Sequence, residues 1–272
     1  MVTCGKSLPA EACKAVQIEI LDEIDAFCQE NGLRYSLAYG TLIGAVRHRG
    51  YIPWDDDIDL LMPRPDYDRF VREFQSKENE VLDLTGKDAC VETFAKVCRK
   101  NTVMVDRELG RSLWGVNVDI FPIDGAPEDG LEERFNQMEG KRRWISRLCP
   151  FYKVVTKDRA KWFLKYCLKR LRYPSLSGCV QVKQAIENEL RSCAFGETPL
   201  AGAYFGDDGI REFMPTEWFR EYTTLLFEGK PYSVLTHYHD YLTRLFGDYM
   251  QLPPEEQRVS HHLYDTYLLE NE

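Results

Sequence analysis

The chain has 272 residues, a net charge of −9, 44% hydrophobic residues and 12% aromatic residues. That apolar and aromatic content excludes a disordered chain, and the length admits one large domain or two small ones around a core that needs no staples. The acidic total excludes a general nucleic-acid binder, which should be basic.

No apolar run approaches the roughly 18 residues of a spanning helix, and residues 1–9 lack the apolar stretch of a signal peptide. The nine cysteines are odd in number and include no CxxC pair. They read as reduced thiols of a cytoplasmic protein rather than a disulfide framework. Between positions 141 and 173 stand twelve Lys or Arg residues opposed by Asp158 alone. This stretch carries +11, so the other 239 residues carry −20 of the total. Blocked charge of this kind has a partner or a solvated face.

In chain order, residues 10–31 predict an amphipathic helix. Cys13, Val16, Ile20, Ile24 and Phe27 recur at helical spacing, Leu21 and Cys28 widen the stripe, and Asn31-Gly32 forms the stop. Residues 34–39 predict a strand, residues 42–48 a short helix, and Gly50 with Pro53 a turn. Residues 58–62 predict a strand closed by Pro63 and Pro65. Asp66 is placed to cap a helix over 67–75. Residues 91–97 and 115–121 are further strands, the second ended by Pro122 and an Asp124-Gly125 turn. From about 131 onward the pattern reads mainly helical, including a helix through Arg258, Val259, His261, His262, Leu263 and Tyr267. The fold class is therefore α+β, a mixed sheet with flanking helices and a mainly helical second half. Three parts follow: a catalytic core at 10–130, a basic helical insertion at 131–215, and a C-terminal helical segment at 216–272.

Chemistry concentrates in Tyr51-Ile-Pro-Trp-Asp-Asp-Asp-Ile-Asp-Leu-Leu-Met62. Strand alternation aims Asp57 and Asp59 one way while Ile58 and Leu60 enter the core. Paired carboxylates repel unless a cation sits between them, and Mg²⁺ typically takes one or two carboxylates plus phosphate oxygens. The plain alternative is an acidic turn in which Asp55 and Asp56 only cap or face solvent. Asp59 resists that reading, since it lies within an apolar strand. Upstream, Gly40-Thr41 occupies a strand-to-helix junction of the kind that aims backbone N–H groups at phosphate. Downstream, Val116-Asn-Val-Asp-Ile-Phe121 puts Asp119 on a second apolar strand, facing the same side as Asn117. There it either completes a metal site or takes the proton of an acceptor hydroxyl.

A hydrophobic-Gly-Thr junction, a short helix, Asp-x-Asp and a later Asp resemble the nucleotidyltransferase superfamily. Tyr39-Gly-Thr-Leu-Ile-Gly-Ala-Val-Arg-His48, followed by Tyr51-Ile-Pro-Trp-Asp-Asp-Asp-Ile-Asp59, more specifically resembles the LicD family, which is related to fukutin-type proteins. Val118-Asp-Ile-Phe-Pro-Ile-Asp-Gly125, Phe246-Gly-Asp-Tyr-Met-Gln-Leu-Pro-Pro254 and His261-His262 are similar to its later blocks. The resemblance covers about 15–125 and 222–268 and is weak between 130 and 215.

It implies transfer of a phosphorylated alcohol, phosphocholine above all, from a CDP-linked donor to a hydroxyl of a cell-surface glycan or its lipid-linked precursor, with release of CMP. Asp57, Asp59 and Asp119 would hold Mg²⁺, with Mn²⁺ as a substitute. Gly40 and Thr41 would cradle phosphate, and Arg47, His48, Lys96, Arg99, His261 and His262 are the further candidates for substrate binding. Two other functions compete with this one. The first is attachment of NMP itself to a small acceptor with release of pyrophosphate; the second is a non-catalytic anion-binding scaffold. Aromatic and apolar residues interleave with the cations of 141–173. The stretch reads as an interfacial helix on an anionic membrane, as a contact for an anionic glycan, or as a packed helix with a solvated face. The corresponding location is cytoplasmic, with peripheral contact at the inner face of the membrane.

Overall fold

The computed structural model describes residues 3–83, 93–107, 114–148, 176–259 and 264–270. Along the chain run β1 (Thr3–Leu8), α1 (Ala10–Asn31), β2 (Ser36–Leu37), α2 (Tyr39–Arg47), β3 (Asp59–Pro63), α3 (Arg64–Glu73), β4 (Asn79–Leu82), β5 (Ala95–Arg99), β6 (Thr102–Asp106) and β7 (Asn117–Ala126). There follow α4 (Leu131–Leu148), α5 (Leu176–Leu190), β8 (Leu200–Gly202), β9 (Met214–Pro215), β10 (Tyr222–Phe227), β11 (Lys230–Leu235), α6 (Tyr238–Phe246) and β12 (Tyr264–Glu270). The architecture is α+β, as the pattern predicts.

The central mixed sheet has the order β2-β3-β7-β5-β4, with β8 and β9 continuing from the far end of β7. β3 and β7 are parallel, and Asp59 stands opposite Asp119 in register. The neighbouring pairs β2–β3, β5–β7 and β4–β5 are antiparallel. α1 lies against β5 and β7 and buries Ile20, Leu21, Ile24 and Cys28. It stops where Gly32 adopts the left-handed conformation at φ 63°, which glycine enters without steric cost. Ile58, Leu60 and Met62 are fully enclosed, so Asp59, which alternates with them, points away from that side of the core.

Several elements depart from their sequence patterns. β7 runs through Pro122 and Asp124-Gly125 rather than ending there. The Asp119 N–H donates to the Ile58 carbonyl at 2.9 Å, so odd residues of β7 bond toward β3 and even residues toward the other flank. On that flank β5 reaches only Ile120 and β8 begins at Asp124. Pro122, which has no N–H, falls in the gap and forfeits no ladder bond. Asp66 does not cap α3, because the helix starts earlier with Pro63 at its N-cap. Asp66 instead sits in the first turn and accepts a 2.7 Å bond from Arg34 Nε.

The second half has the expected helices at α4, α5 and α6, but the segment after 216 is not purely helical. β10 and β11 form a hairpin, whose two-residue turn, Glu228-Gly229, has φ values of 48° and 81°. Two positive φ values in a two-residue loop match the twist of the flanking strands. Tyr267, expected on a helix, lies on β12, which pairs antiparallel with β1 and β6. These partners come from the first residues and from 102–106, so local periodicity carries no trace of the pairing.

His261 and His262 lie outside the described residues, as do 149–173 of the basic stretch. At the start of that stretch, Lys141 pairs with Glu189 at 3.7 Å, and Arg142 and Arg143 pair with Glu139 at 2.7 and 3.7 Å. Cys4, Cys13, Cys28 and Cys193 are free thiols. Among the described residues no helix is long and apolar enough to cross a membrane.

Candidate active site

The site lies at the leading ends of β3 and β7. The loop from α2 into β3 delivers Asp55, Asp56 and Asp57, each of which offers one carboxylate oxygen within 4.8 Å of those of the other two. All three, and Asp59 next to them, are half-buried, so a ligand can reach them. Burial pushes the Asp59 carboxyl well above its ordinary value, and the negative charges of Asp57, Asp119 and Asp55 push it further. Asp55 is pushed up to about 8 by burial and by Asp57 and Asp56. Crowded carboxylates that raise one another in this way are short of positive charge. A hard divalent cation, which takes oxygen ligands, fits such a donor set.

The acidic loop is held from three sides. The Gln17 side chain, buried on α1, donates to the Asp56 carbonyl at 2.9 Å and accepts from the Tyr51 hydroxyl at 2.9 Å. The Tyr51 N–H donates to Glu228 Oε1 at 3.0 Å, so the tip of the β10–β11 hairpin braces the start of the loop. Thr41, buried on α2, accepts the Asp59 N–H through Oγ1 at 2.9 Å. A Cβ on Gly40 would lie 2.5 Å from Asp55 Oδ2; only glycine lets the helix start approach that carboxylate.

Asp119 has a different environment. Lys96 Nζ lies 2.6 Å from its Oδ2, and the Asn117 amide donates to its Oδ1. Lys96 is 4% exposed. It faces the rings of Phe94 and Trp114 at 4.8 and 4.4 Å, so the aromatic faces favour the charge that Asp119 neutralises.

The structure therefore gathers Asp57, Asp59, Asp119, Lys96, Gly40 and Thr41 in one place. Arg99 is elsewhere: on β5 it alternates to the opposite face from Lys96 and pairs with Glu19 of α1 at 2.6 Å. Arg47 is turned to the C-terminal segment, donating to the carbonyls of Tyr249 at 2.7 Å and Gln251 at 3.3 Å. Its Nε also donates to His48 Nε2 at 2.9 Å. Burial and the neighbouring guanidinium lower the His48 pKa.

The sequence pattern missed two contributors. Asp55 reads locally as a turn residue, and only the glycine at position 40 hints that something must approach closely there. Gln17 interrupts the apolar stripe of α1, and that interruption is its signal.

A family profile described as LicD/FKTN/FKRP, nucleotidyltransferase domain, matches residues 32–155. The chain is 32% identical over 272 residues to the protein named lipopolysaccharide cholinephosphotransferase LicD of Haemophilus influenzae, covering 97% of this chain and all of that one. Shorter similarities reach two uncharacterized proteins of Rickettsia. One, of Rickettsia typhi, is 29% identical over 84 residues, covering 28% of this chain and 27% of its own length. The other, of Rickettsia prowazekii, is 40% identical over 42 residues, covering 15% and 16%.

Proposed function

The chain belongs to the LicD family, and we propose that it transfers phosphocholine from a CDP-linked donor to a hydroxyl of a cell-surface glycan, releasing CMP. The observation that carries this reading is the crowded carboxylate cluster of Asp55, Asp57 and Asp59, with Asp55 pressed against Gly40 in the first turn of α2. It is supported by the full-length similarity to a protein named lipopolysaccharide cholinephosphotransferase.

Asp57 and Asp59, joined by Asp55, are the residues that would hold Mg²⁺. When bound, the ion would offset negative charge on the donor phosphates and on the departing CMP. The remaining roles belong to the chain itself. The first turn of α2 offers backbone N–H groups to phosphate oxygens, with Gly40 admitting close approach. Asp119, oriented by Lys96 and Asn117, takes the proton of the acceptor hydroxyl as its oxygen bonds to the phosphorus and the bond from phosphorus to CMP breaks. Lys96 keeps a positive charge beside that carboxylate before the proton moves.

The test is CMP release from CDP-choline with a glycan acceptor, comparing the wild type with Asp57→Asn and Asp59→Asn after their folding has been confirmed. Each variant should release no CMP above background. Retained turnover removes the assignment of these carboxylates, and pyrophosphate release from a nucleoside triphosphate would replace the reaction with nucleotidyl transfer.

A further inference from the structure

Tyr39, the first residue of α2, has φ 43°. For a bulky L-residue that conformation costs about 1–2 kcal/mol and persists only where its surroundings hold it. Here the side chain supplies the hold. Its ring packs edge-on against Phe121 at 5.3 Å and tilted against Tyr241 at 6.2 Å. Its hydroxyl donates to Glu212 Oε2 at 3.0 Å.

Glu212 closes the short 3-10 turn Gly209–Glu212 and is 2% exposed. Its other carboxylate oxygen accepts only a long 3.4 Å bond from the Asp208 N–H among the described contacts. Two glycines clear its place: a Cβ on Gly206 would overlap Glu212 Oε1 and stand 2.7 Å from the Tyr39 hydroxyl, and a Cβ on Gly202 would overlap the Glu212 backbone. A buried carboxyl is costly to keep without strong partners, so a chain that clears space to keep one at this spot is using it.

The use is visible in what Tyr39 begins. Ala38 donates its N–H to the Asp59 carbonyl at 2.9 Å. Thr41 receives the Asp59 N–H, and Gly40 lies against Asp55. Residues 38–41 thus grip Asp59 from both sides of its peptide and touch a second carboxylate. We propose that Glu212, acting through the Tyr39 hydroxyl, is a positioning residue that locks the first turn of α2 against Asp55 and Asp59 for phosphocholine transfer. The anchor arrives from 173 positions downstream, in the region where no family motif is recognisable. This inference rests on the transferase reading above, which Asp59→Asn tests separately.

The experiment compares Tyr39→Phe, Glu212→Ala, Glu212→Gln and the double variant Tyr39→Phe/Glu212→Ala, with CMP release from CDP-choline as readout. Tyr39→Phe and Glu212→Ala should each lower kcat about ten- to a hundredfold, because a displacement near 1 Å is enough for such losses. KM for the donor should stay within about threefold, since the loss falls on the transition state. The double variant should be no worse than the poorer single one, because both remove the same bond. Glu212→Gln should restore kcat to within about threefold of wild type, since the amide still pairs with a phenol.

An unchanged kcat in Glu212→Ala, multiplicative losses in the double variant, or a Gln variant as poor as Ala would each overturn the proposal. Amide exchange at Leu42, whose N–H closes the first turn of α2 on the Ala38 carbonyl at 2.9 Å, gives a readout independent of turnover. It should quicken about tenfold in Glu212→Ala and not in Glu212→Gln; equal protection in both overturns the proposal even if CDP-choline is not the donor. Should Glu212→Ala fail to fold, Tyr39→Phe and Glu212→Gln decide alone: equal kcat and exchange in Tyr39→Phe and wild type overturn it.

Discussion

At the leading ends of β3 and β7, Asp59 and Asp119 stand opposite each other with Asp55 and Asp57 close by. Toward the other end of the same two strands, Arg64, just past β3, grips Asp124 of β7 with two bonds of 2.7 and 2.6 Å and reaches Glu187 at 3.4 Å. Arg191 completes that group, pairing with Glu187 at 2.5 Å and with Asp68 at 2.8 Å. Both ends collect acid. At the Arg64 end each carboxylate has a guanidinium, and the group joins α3, β7 and α5. At the leading end Lys96 pairs with Asp119 at 2.6 Å and also draws the Asp59 carboxyl down, but burial and the charges of Asp57, Asp119 and Asp55 outweigh it there, and Asp55 is raised by burial and by Asp57 and Asp56. Paired acid joins elements at the Arg64 end; the crowded acid at the leading end is the donor set proposed for a cation.

Substitutions at the two ends should therefore separate stability from turnover. Asp124→Ala leaves Arg64 buried with a partner missing, and should cost about 3–5 kcal/mol of unfolding free energy in urea titration. A loss below about 1 kcal/mol would show that the Arg64 end is not the structural lock described. Lys96→Met keeps the bulk between Phe94 and Trp114 but strips Asp119 of its cation. It should lower kcat about ten- to a hundredfold with a stable fold, and near-normal turnover would break the proposed link between Lys96 and proton transfer to Asp119.

The metal-free protein should also lose stability as pH rises from 5 to 8. Asp55 and Glu212 are each pushed up to about 8, from ordinary values of 3.8 and 4.5. Over that window the folded chain keeps protons that the unfolded chain has released, so the contribution is whole below the ordinary values and disappears as pH passes 8. A thermal midpoint that climbs over the same range would contradict the crowding at Asp55. The smallest effect belongs to the exposed Arg107–Asp265 pair, which joins β6 to β12 at 2.8 Å. Its removal by Arg107→Ala should change stability by less than about 1 kcal/mol, in contrast to Asp124→Ala.

How much of this could be read from the residues depended on whether a neighbour in sequence was also a neighbour in space. α1 was legible because its apolar stripe and Gly32 stop are local. Asp57, Asp59 and Asp119 were legible because strand alternation and family blocks mark them. The start of α2 at Tyr39 was not, because it needs a φ of 43° that Glu212, far along the chain, helps to hold. Nor was the path of β7 through Pro122, which depends on where β5 stops and β8 begins. β12 was misplaced as helix for the same reason: its partners come from both ends of the core. Asp55 was passed over as a turn residue because its significance lies in the Gly40 contact and not in its own surroundings.

The central proposal is that the crowded acid at the leading end of β3 binds a divalent cation. The direct measurement is calorimetric titration of Mg²⁺ into wild type, Asp59→Asn and Asp124→Asn, each with CDP-choline present and at a pH near 7.5. Wild type and folded Asp124→Asn should bind the ion with similar affinity, while Asp59→Asn should show no binding heat. Binding that survives Asp59→Asn unchanged, or no binding by the wild type, would contradict the account.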